Sequence, residues 1–485
     1  MAGKKEIKRV LIANRSEIAL RILRAVKEFD MEAVVVYEKP DNEAYHIRLA
    51  DDAILIGDGP RKDYLDVDKI IWAARKSNSD AIHPGYGFLS ENPELAAACE
   101  KNGIIFVGPP SPVIRNLGNK VIARQIAEKA GIPVLPGTGD LKKGDEGIRQ
   151  AIEFGKKYGY PLMLKASAGG GGRGIRKVIN EQDLLIQLPL ARAEAQSAFK
   201  NDAVYIEKCI EKPRHIEVQV LCDGFGNFTH LGTRDCSIQR RHQKLLEIAP
   251  ATLPENIHRD ICEAGVKLAK AAEYLNAGTV EFLLDSSTNE FWFMEMNTRL
   301  QVEHTVTEEI TGVDIIREQL RIANGRPIRI NSNNITFQGR AIEVRINAED
   351  PKNNFIPEGG KRLEVYQSPG GPGVRLDGLV YQGYKIPTDY DSLMVKLTVR
   401  GFSWEHTVHR LKRALSNFLV VGPKTTIPFY QAICEDEDFI NENFDTGYID
   451  THPHLFHYNE PKREIAKLAE LIAEVHTRKV NPYTY

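Results

Sequence analysis

The sequence has no cysteine pair at redox or metal spacing: its six cysteines, Cys99, Cys209, Cys222, Cys236, Cys262 and Cys434, form no CxxC. This pattern offers no zinc-like cluster and suits scattered core thiols in a reducing compartment. Charge of one sign is missing as well, with 64 Lys plus Arg against 66 Asp plus Glu. Such a balance excludes an overall field for nucleic acid or a membrane surface, so an anionic ligand must be met by local charge. Long apolar runs are absent. After a basic start, Val10-Leu11-Ile12-Ala13 is too short for a signal peptide or a membrane span, and a cytoplasmic location is the expectation. No internal repeat is found. What remains is an ordinary globular composition over 485 residues, enough for about three domains with cores that need no disulfide staples.

Short apolar runs alternate with helical patterns over the first hundred-odd residues: RVLIAN, then Ile18, Ile22, Val26 and Phe29 at helical spacing, then EAVVVY, IIWAARK, AIHPG, ELAAACEKN and IIFVGP. This rhythm predicts a parallel α/β unit. A Gly/Pro-rich loop, 131-GIPVLPGTGD-140, follows a helix around 120–130 and reads as a hinge. Between about 138 and 208 lies a smaller block: a helix at 145–158, the strand PLMLKA, the run 165-KASAGGGGRG-174, a helix near 181–199 and the strand AVYIEKCI. The glycine run lacks the Lys-Ser/Thr that ends a Walker loop, and Gly174-Ile175-Arg176 does not open an amphipathic helix. A small inserted block with such a loop is expected to act as a lid, although a solvated linker has a similar composition. Beyond it come the strand HIEVQVLCD, a helix at 256–275, and a hairpin of GTVEFLLD with EFWFMEMN around Ser286–Asn289. A last segment from about 335 opens with GRAIEVRINAED and closes with a helix at 404–417.

The hairpin carries the strongest chemical pattern. Extending period two through 293-FMEMNTRLQVEH-304 places Glu295, Asn297, Arg299, Gln301 and Glu303 on one face, with Met294, Met296, Leu300 and Val302, together with Thr298, on the other. A strand facing water would look similar, but the preceding apolar strand contains Glu281, which the hairpin brings opposite Glu295. Two carboxylates meeting there repel unless a cation lies between them. Oxygen donors of this kind suit Mg²⁺ or Mn²⁺ held jointly with substrate phosphates. Arg299 then offers an anion site, and Glu303 is a candidate base. A second cluster, 234-RDCSIQRRHQKLLEIAP-250, dense in Arg, Gln, His and Lys, is either an exposed basic loop or, with Lys120, Lys165 and His215, the lining of a triphosphate and a small anion.

With these motifs assembled, the chain resembles the biotin carboxylase family of the ATP-grasp superfamily nearly end to end, through IANRSEIALRI (12–22), HPGYGFLSEN (83–92), KASAGGGGRG, RDCSIQRRHQK, FMEMNTRLQVEH and EVRINAEDP (343–351). The resemblance implies an α/β fold in three parts: an amino-terminal parallel-sheet domain (1–118), an ATP-grasp domain (119–330) with its small glycine-loop lid (about 138–208), and an α+β carboxy-terminal domain (335–450), followed by a tail (451–485). It implies that Lys120, Lys165 and Lys244 neutralise ATP phosphates, that His215, Gln239 and His242 lie in the nucleotide pocket with Gly170, Gly171 and Gly172 above it, and that Glu207 and Lys208 sit near adenine. Glu281, Glu295 and Asn297 match the ligands of two Mg²⁺ or Mn²⁺ ions. Arg299, Gln301 and Val302 match the bicarbonate site, Glu303 the general base, and Arg345 the arginine facing biotin.

The implied reaction is the first half of a biotin-dependent carboxylase. Glu303 removes a proton from bicarbonate held by Arg299, the oxygen attacks the ATP γ-phosphate, and the carboxyphosphate formed breaks down to CO₂ and phosphate beside biotin, whose enolate Arg345 stabilises. Ser16 stands where many members have glycine, and Ala168 replaces another glycine. Neither contributes a catalytic group. A biotin-attachment lysine between two methionines is absent, and Met394-Val395-Lys396 sits in an apolar strand-like run that reads as core. Biotin is therefore expected on a separate carrier protein or domain, with a separate carboxyltransferase subunit and a homodimer as further partners, and no nucleic acid or membrane. The tail GYIDTHPHLFHY looks more like the pyruvate carboxylase subunits than the acetyl-CoA type. Two other readings keep less of the pattern: an ATP-grasp ligase joining a carboxylate to an amine, and a nucleotide-binding subunit without turnover.

Overall fold

The computed structural model describes residues 6–167, 174–330 and 335–458. Its first sheet is wholly parallel, in the order Asp52–Gly57, Glu32–Glu38, Arg9–Ile12, Ala81–His83, Ile105–Phe106. Covered by helices, these strands read as unbroken apolar runs; Val10 to Ile12 and Val34 to Val36 are fully buried. The strand order reverses between Arg9–Ile12 and Ala81–His83, and in open α/β sheets such a point leaves a crevice at the carboxyl ends. The motifs IANRSEIALRI and HPGYGFLSEN meet there: Asn14 Nδ2 donates to the carbonyls of Pro84 and Tyr86, both at 2.7 Å.

The central element is an antiparallel sheet of eight strands, in the order Phe291–Asn297, Asn276–Leu284, Arg214–Cys222, Phe228–Asp235, Leu246–Ala249, Arg340–Asn347, Leu393–Gly401, Val374–Gly378. It runs unbroken from the hairpin segment into the last segment, because Leu246–Ala249 pairs with Arg340–Asn347 in the register Glu247↔Glu343. The strands Phe228–Asp235 and Leu246–Ala249 are not evident as strands in the sequence, since their buried positions include Thr229, Arg234, Asp235 and Glu247. Asp52–Gly57 also escapes the sequence reading.

A three-stranded sheet, ordered Ile175–Val178, Leu162–Ala166, Val204–Lys208, stands apart with the helices Gly144–Tyr158 and Glu181–Phe199. It has its own core, including Phe154, Leu164, Leu188 and Ile206. The glycine run, with Gly170, Gly171 and Gly172, lies outside the described residues. All six cysteines are free, and all but Cys209 are buried.

One expectation about the hairpin is corrected. The strand stops at Asn297, whose partner is Thr279, and residues 298–303 form a loop leading into the helix His304–Thr311. The alternation through Glu303 therefore does not hold. Beyond Asn297 the chain leaves its strand partner and buries Leu300 in the core that contains Ile12, Ile18 and Ile22.

Ser16, at the start of the helix Ser16–Lys27, has φ of +62°. This left-handed conformation is the physical reason for a glycine preference at that position. An L-residue there costs about 1–2 kcal/mol, so Ser16→Gly is expected to raise stability toward unfolding by about 1 kcal/mol. Chemical denaturation of the two proteins checks this, and an unchanged midpoint would contradict it.

Candidate active site

Three glutamates stand in one row across three neighbouring strands: Glu295 pairs with Glu281, and Glu281 with Glu217. The sequence places Glu281 opposite Glu295; Glu217 was missed, although His215, Glu217 and Gln219 alternate with Ile216, Val218 and Val220 in a readable period of two. Glu217 and Glu281 are almost completely buried, so their charges require cations. Lys244 supplies the central one. It comes from the short hairpin Gln239–Arg240 with Gln243–Lys244, and its Nζ contacts Glu217, lies 2.9 Å from Glu281 Oε1 and 2.8 Å from Glu303 Oε1.

Other cations complete the row. Lys120 Nζ lies 3.2 Å from Glu295, at the start of the helix Lys120–Lys129. His215 Nε2 is 3.1 Å from Glu281. Arg234, fully buried, donates from Nε to Glu217 at 3.0 Å and also to Gln219, Thr279 and Thr307. In the sequence Arg234 is one member of a basic cluster; the structure makes it an internal tie rather than an exposed charge.

The loop 298–303 brings its polar groups to the same place by turning, not by alternating. Arg299 donates to Gln301 Oε1 at 3.0 Å and Asn297 Oδ1 at 3.3 Å, and its Nε pairs with Glu91 at 3.0 Å. Glu91 belongs to HPGYGFLSEN, which carries no chemistry in the sequence reading; its role as a partner of Arg299 follows from the crevice at the first sheet. Asn297 and Gln301 side-chain amides point to Glu281 Oε1 at 2.7 and 3.3 Å. Glu303 Oε2 faces Arg345 Nη2 at 3.1 Å, and Arg345 also pairs with Glu247. Val302 contributes its backbone carbonyl to Lys396 at 2.7 Å.

The remaining expected residues form the side toward the three-stranded sheet. Lys165 Nζ lies 2.5 Å from Glu207 Oε2, with Arg124 Nη1 3.5 Å from the other oxygen. Lys208 Nζ instead reaches the carbonyls of Gly159 and Tyr160. Gln239 donates to the Cys236 carbonyl at 3.3 Å, and His242 sits in the turn of its hairpin with φ of +63°.

Electrostatics follow this packing. Burial pushes the Glu281 carboxyl up, but Lys244 and His215 outweigh it and hold the group at about 2. Glu217, Glu295 and Glu303 are depressed in the same way, burial opposed first by Lys244 for Glu217 and Glu303 and by Lys120 for Glu295. Burial lowers His215, yet Glu281 raises it above 6.5. Glu247 is pushed up to about 8 by burial, against the pull of Arg345.

The donor set fits a hard divalent cation. Glu281, Glu295 and Asn297 offer oxygens on one face, and anionic charge there is already balanced by Lys244, His215 and Lys120. His215, Glu217 and Glu281 also cluster within 4.8 Å of one another. Glu281, Glu295 and Asn297 contribute only oxygens, the donors a hard cation prefers.

Residues 6–114 match the biotin carboxylase N-terminal domain, 119–331 the carbamoyl-phosphate synthase L chain ATP-binding domain, and 343–451 the biotin carboxylase C-terminal domain. The chain belongs to the biotin carboxylase family. Biotin carboxylase 1 of Bacillus subtilis (strain 168) is 46% identical over 92% of this chain and 99% of its own length. The 2-oxoglutarate carboxylase small subunit of Hydrogenobacter thermophilus is 46% identical over 97% of this chain and 99% of its own. The crystal structure of that carboxylase's biotin carboxylase domain dimer, in complex with MgADP, ADP and bicarbonate, superposes with a TM-score of 0.91 at 46% identity, covering 94% of this chain and 100% of that one. The three-part biotin carboxylase fold expected from the motifs is thus the fold observed.

The His215–Glu281 attraction stabilises the fold below the ordinary imidazole value of 6.5 and is lost as pH rises through the raised value of His215. Glu281 contributes above 4.5, and that contribution fades as pH falls toward 2. In Glu281→Gln, His215 loses its main raising partner and keeps only Glu217 at 3.6 Å against burial and Lys244, and an NMR titration is expected to show its pKa falling relative to wild type. An unchanged titration would show that Glu281 does not set it.

Proposed function

We propose that this chain carboxylates biotin with bicarbonate and ATP, by way of carboxyphosphate, and that the chemistry takes place over the carboxylate row. The observation that carries the reading is Glu303 held between Lys244 and Arg345, at 2.8 and 3.1 Å, one turn of loop from Arg299. Arg299, steered by Glu91, binds the bicarbonate anion with Gln301 and the Val302 backbone beside it. Glu303 takes its proton, and the oxygen so freed attacks the γ-phosphorus as the bond to ADP breaks.

Lys120, Lys165 and Lys244 balance charge that spreads onto the phosphoryl oxygens. Each is paired with a glutamate of the protein, so nucleotide phosphates exchange with Glu295, Glu207 and Glu217 for partners already in place. Glu281, Glu295 and Asn297 would hold the divalent cations, which supply further neutralisation of the phosphates when bound. Glu207, Lys208, His215, Gln239 and His242 line the nucleotide side, and the block from about 138 to 208 closes over it and keeps water from carboxyphosphate.

Carboxyphosphate then yields CO₂ and phosphate. The ureido nitrogen of biotin loses its proton to that phosphate and bonds to CO₂, while Arg345 stabilises the enolate oxygen. Arg345 stands within reach of both Glu247 and Glu303, which hold its guanidinium at the row. Biotin arrives on a separate carrier, and a carboxyltransferase passes the carboxyl group on. Biotin carboxylase 1 and the 2-oxoglutarate carboxylase small subunit are equally identical to this chain, at 46%. We therefore assign choice of the final acceptor to the carboxyltransferase. No helix among the described residues is long and apolar enough to cross a membrane.

ADP release by the purified chain is expected to require both bicarbonate and biotin, and Glu303→Gln to lower kcat by about 10²–10⁴. Full-rate turnover without bicarbonate and biotin, or a fully active Glu303→Gln, would overturn the proposal.

A further inference from the structure

Lys396 lies in the strand Leu393–Gly401 among Met394, Val395 and Leu397, and is itself fully buried. A lysine so placed is costly unless its charge is paired. Its partners come from the other two parts of the chain. Nζ donates to the Val302 carbonyl at 2.7 Å, in the loop 298–303, and lies 3.5 Å from Glu17 Oε1, in the helix Ser16–Lys27. Tyr86, from the HPGYGFLSEN loop at the crevice, donates its hydroxyl to the same Glu17 oxygen. Burial lowers the basicity of Lys396, but Glu17, Glu343 and Asp377 more than restore it, so the ammonium stays charged.

The Val302 peptide lies between Gln301 and Glu303. The loop has left its strand partner at Asn297, so its backbone must be held by other groups. Gln301 O accepts from His304 Nδ1 at 2.8 Å, which fixes one side; Lys396 fixes the next carbonyl along. We propose that Lys396 is a positioning residue for bicarbonate: from the far segment of the chain it pins the Val302 peptide, with Glu17 and Tyr86 as its anchor, and thereby aims Arg299, Gln301 and Glu303 together.

This rests on the bicarbonate assignment above. A charge-assisted bond to a carbonyl holds direction as well as distance, and misplacement by about 1 Å can cost about 10²-fold in rate. The nucleotide side, built from Lys120, Lys165 and Glu207, is not touched by Lys396. Its removal should therefore separate the two substrates.

Lys396→Met alone leaves Glu17 in the core without its ammonium, so the informative protein is Lys396→Met with Glu17→Gln, which removes that pair, keeps Glu343 and Asp377, and leaves an amide oxygen for Tyr86. Melting temperature and ADP release are measured with free biotin, varying bicarbonate and ATP separately. The expected double variant melts close to wild type, keeps its ATP KM, and shows a bicarbonate KM raised about tenfold or more with a reduced kcat. A folded double variant with wild-type bicarbonate KM and kcat would overturn the inference. So would an equal rise in both KM values, or failure to fold, since either assigns Lys396 to the core and not to the loop. Wild-type dependence on bicarbonate tests the functional reading separately, so a failure there is distinguished from one confined to the variant.

Discussion

Lys244 is the interaction on which the site depends. Strand register brings Glu217, Glu281 and Glu295 into one row, and the following loop adds Glu303. Four carboxylates at the face of a buried sheet would repel one another and take up protons. A single ammonium touching three of them, with Lys120 on the fourth, keeps them ionised. Arg234 then closes the underside through Glu217. The result is a surface prepared for cations and phosphates before either arrives, which is the economy that electrostatic preorganisation requires.

The second constraint is geometric. The site is assembled where three parts of the chain meet: the crevice of the parallel sheet gives Glu91 to Arg299, the antiparallel sheet gives the carboxylates, and its continuation into the last segment gives Arg345 and Lys396. Because the antiparallel sheet is continuous, its hydrogen-bonded ladder fixes Arg345 relative to the row. The three-stranded sheet has its own core, and its Lys165 and Glu207 pair with each other.

Much of this is legible in the sequence, and the failures have physical causes. The parallel sheet is announced by apolar runs such as Val34 to Val36, and Glu281 opposite Glu295 follows from the hairpin. Lys396 as a core residue follows from its apolar neighbours. Residues 298–303 deceived because period two persists in sequence where pairing has ended; Leu300 obeys a different core. Glu217 and Arg234 were hidden because charged residues on a buried strand face look like surface until the partner strand is known. Glu91 and Lys396 gain meaning only from contacts across the whole chain.

The central claim is that the Lys244 ammonium supplies at Glu281 positive charge that a divalent cation held by Glu281, Glu295 and Asn297 would otherwise bring. Manganese affinity of the nucleotide-free protein, followed by electron paramagnetic resonance, tests it most directly in Lys244→Met against wild type. Removing the competing ammonium is predicted to tighten Mn²⁺ binding, with Glu281→Gln weakening it. An affinity in Lys244→Met equal to or weaker than wild type would contradict the account.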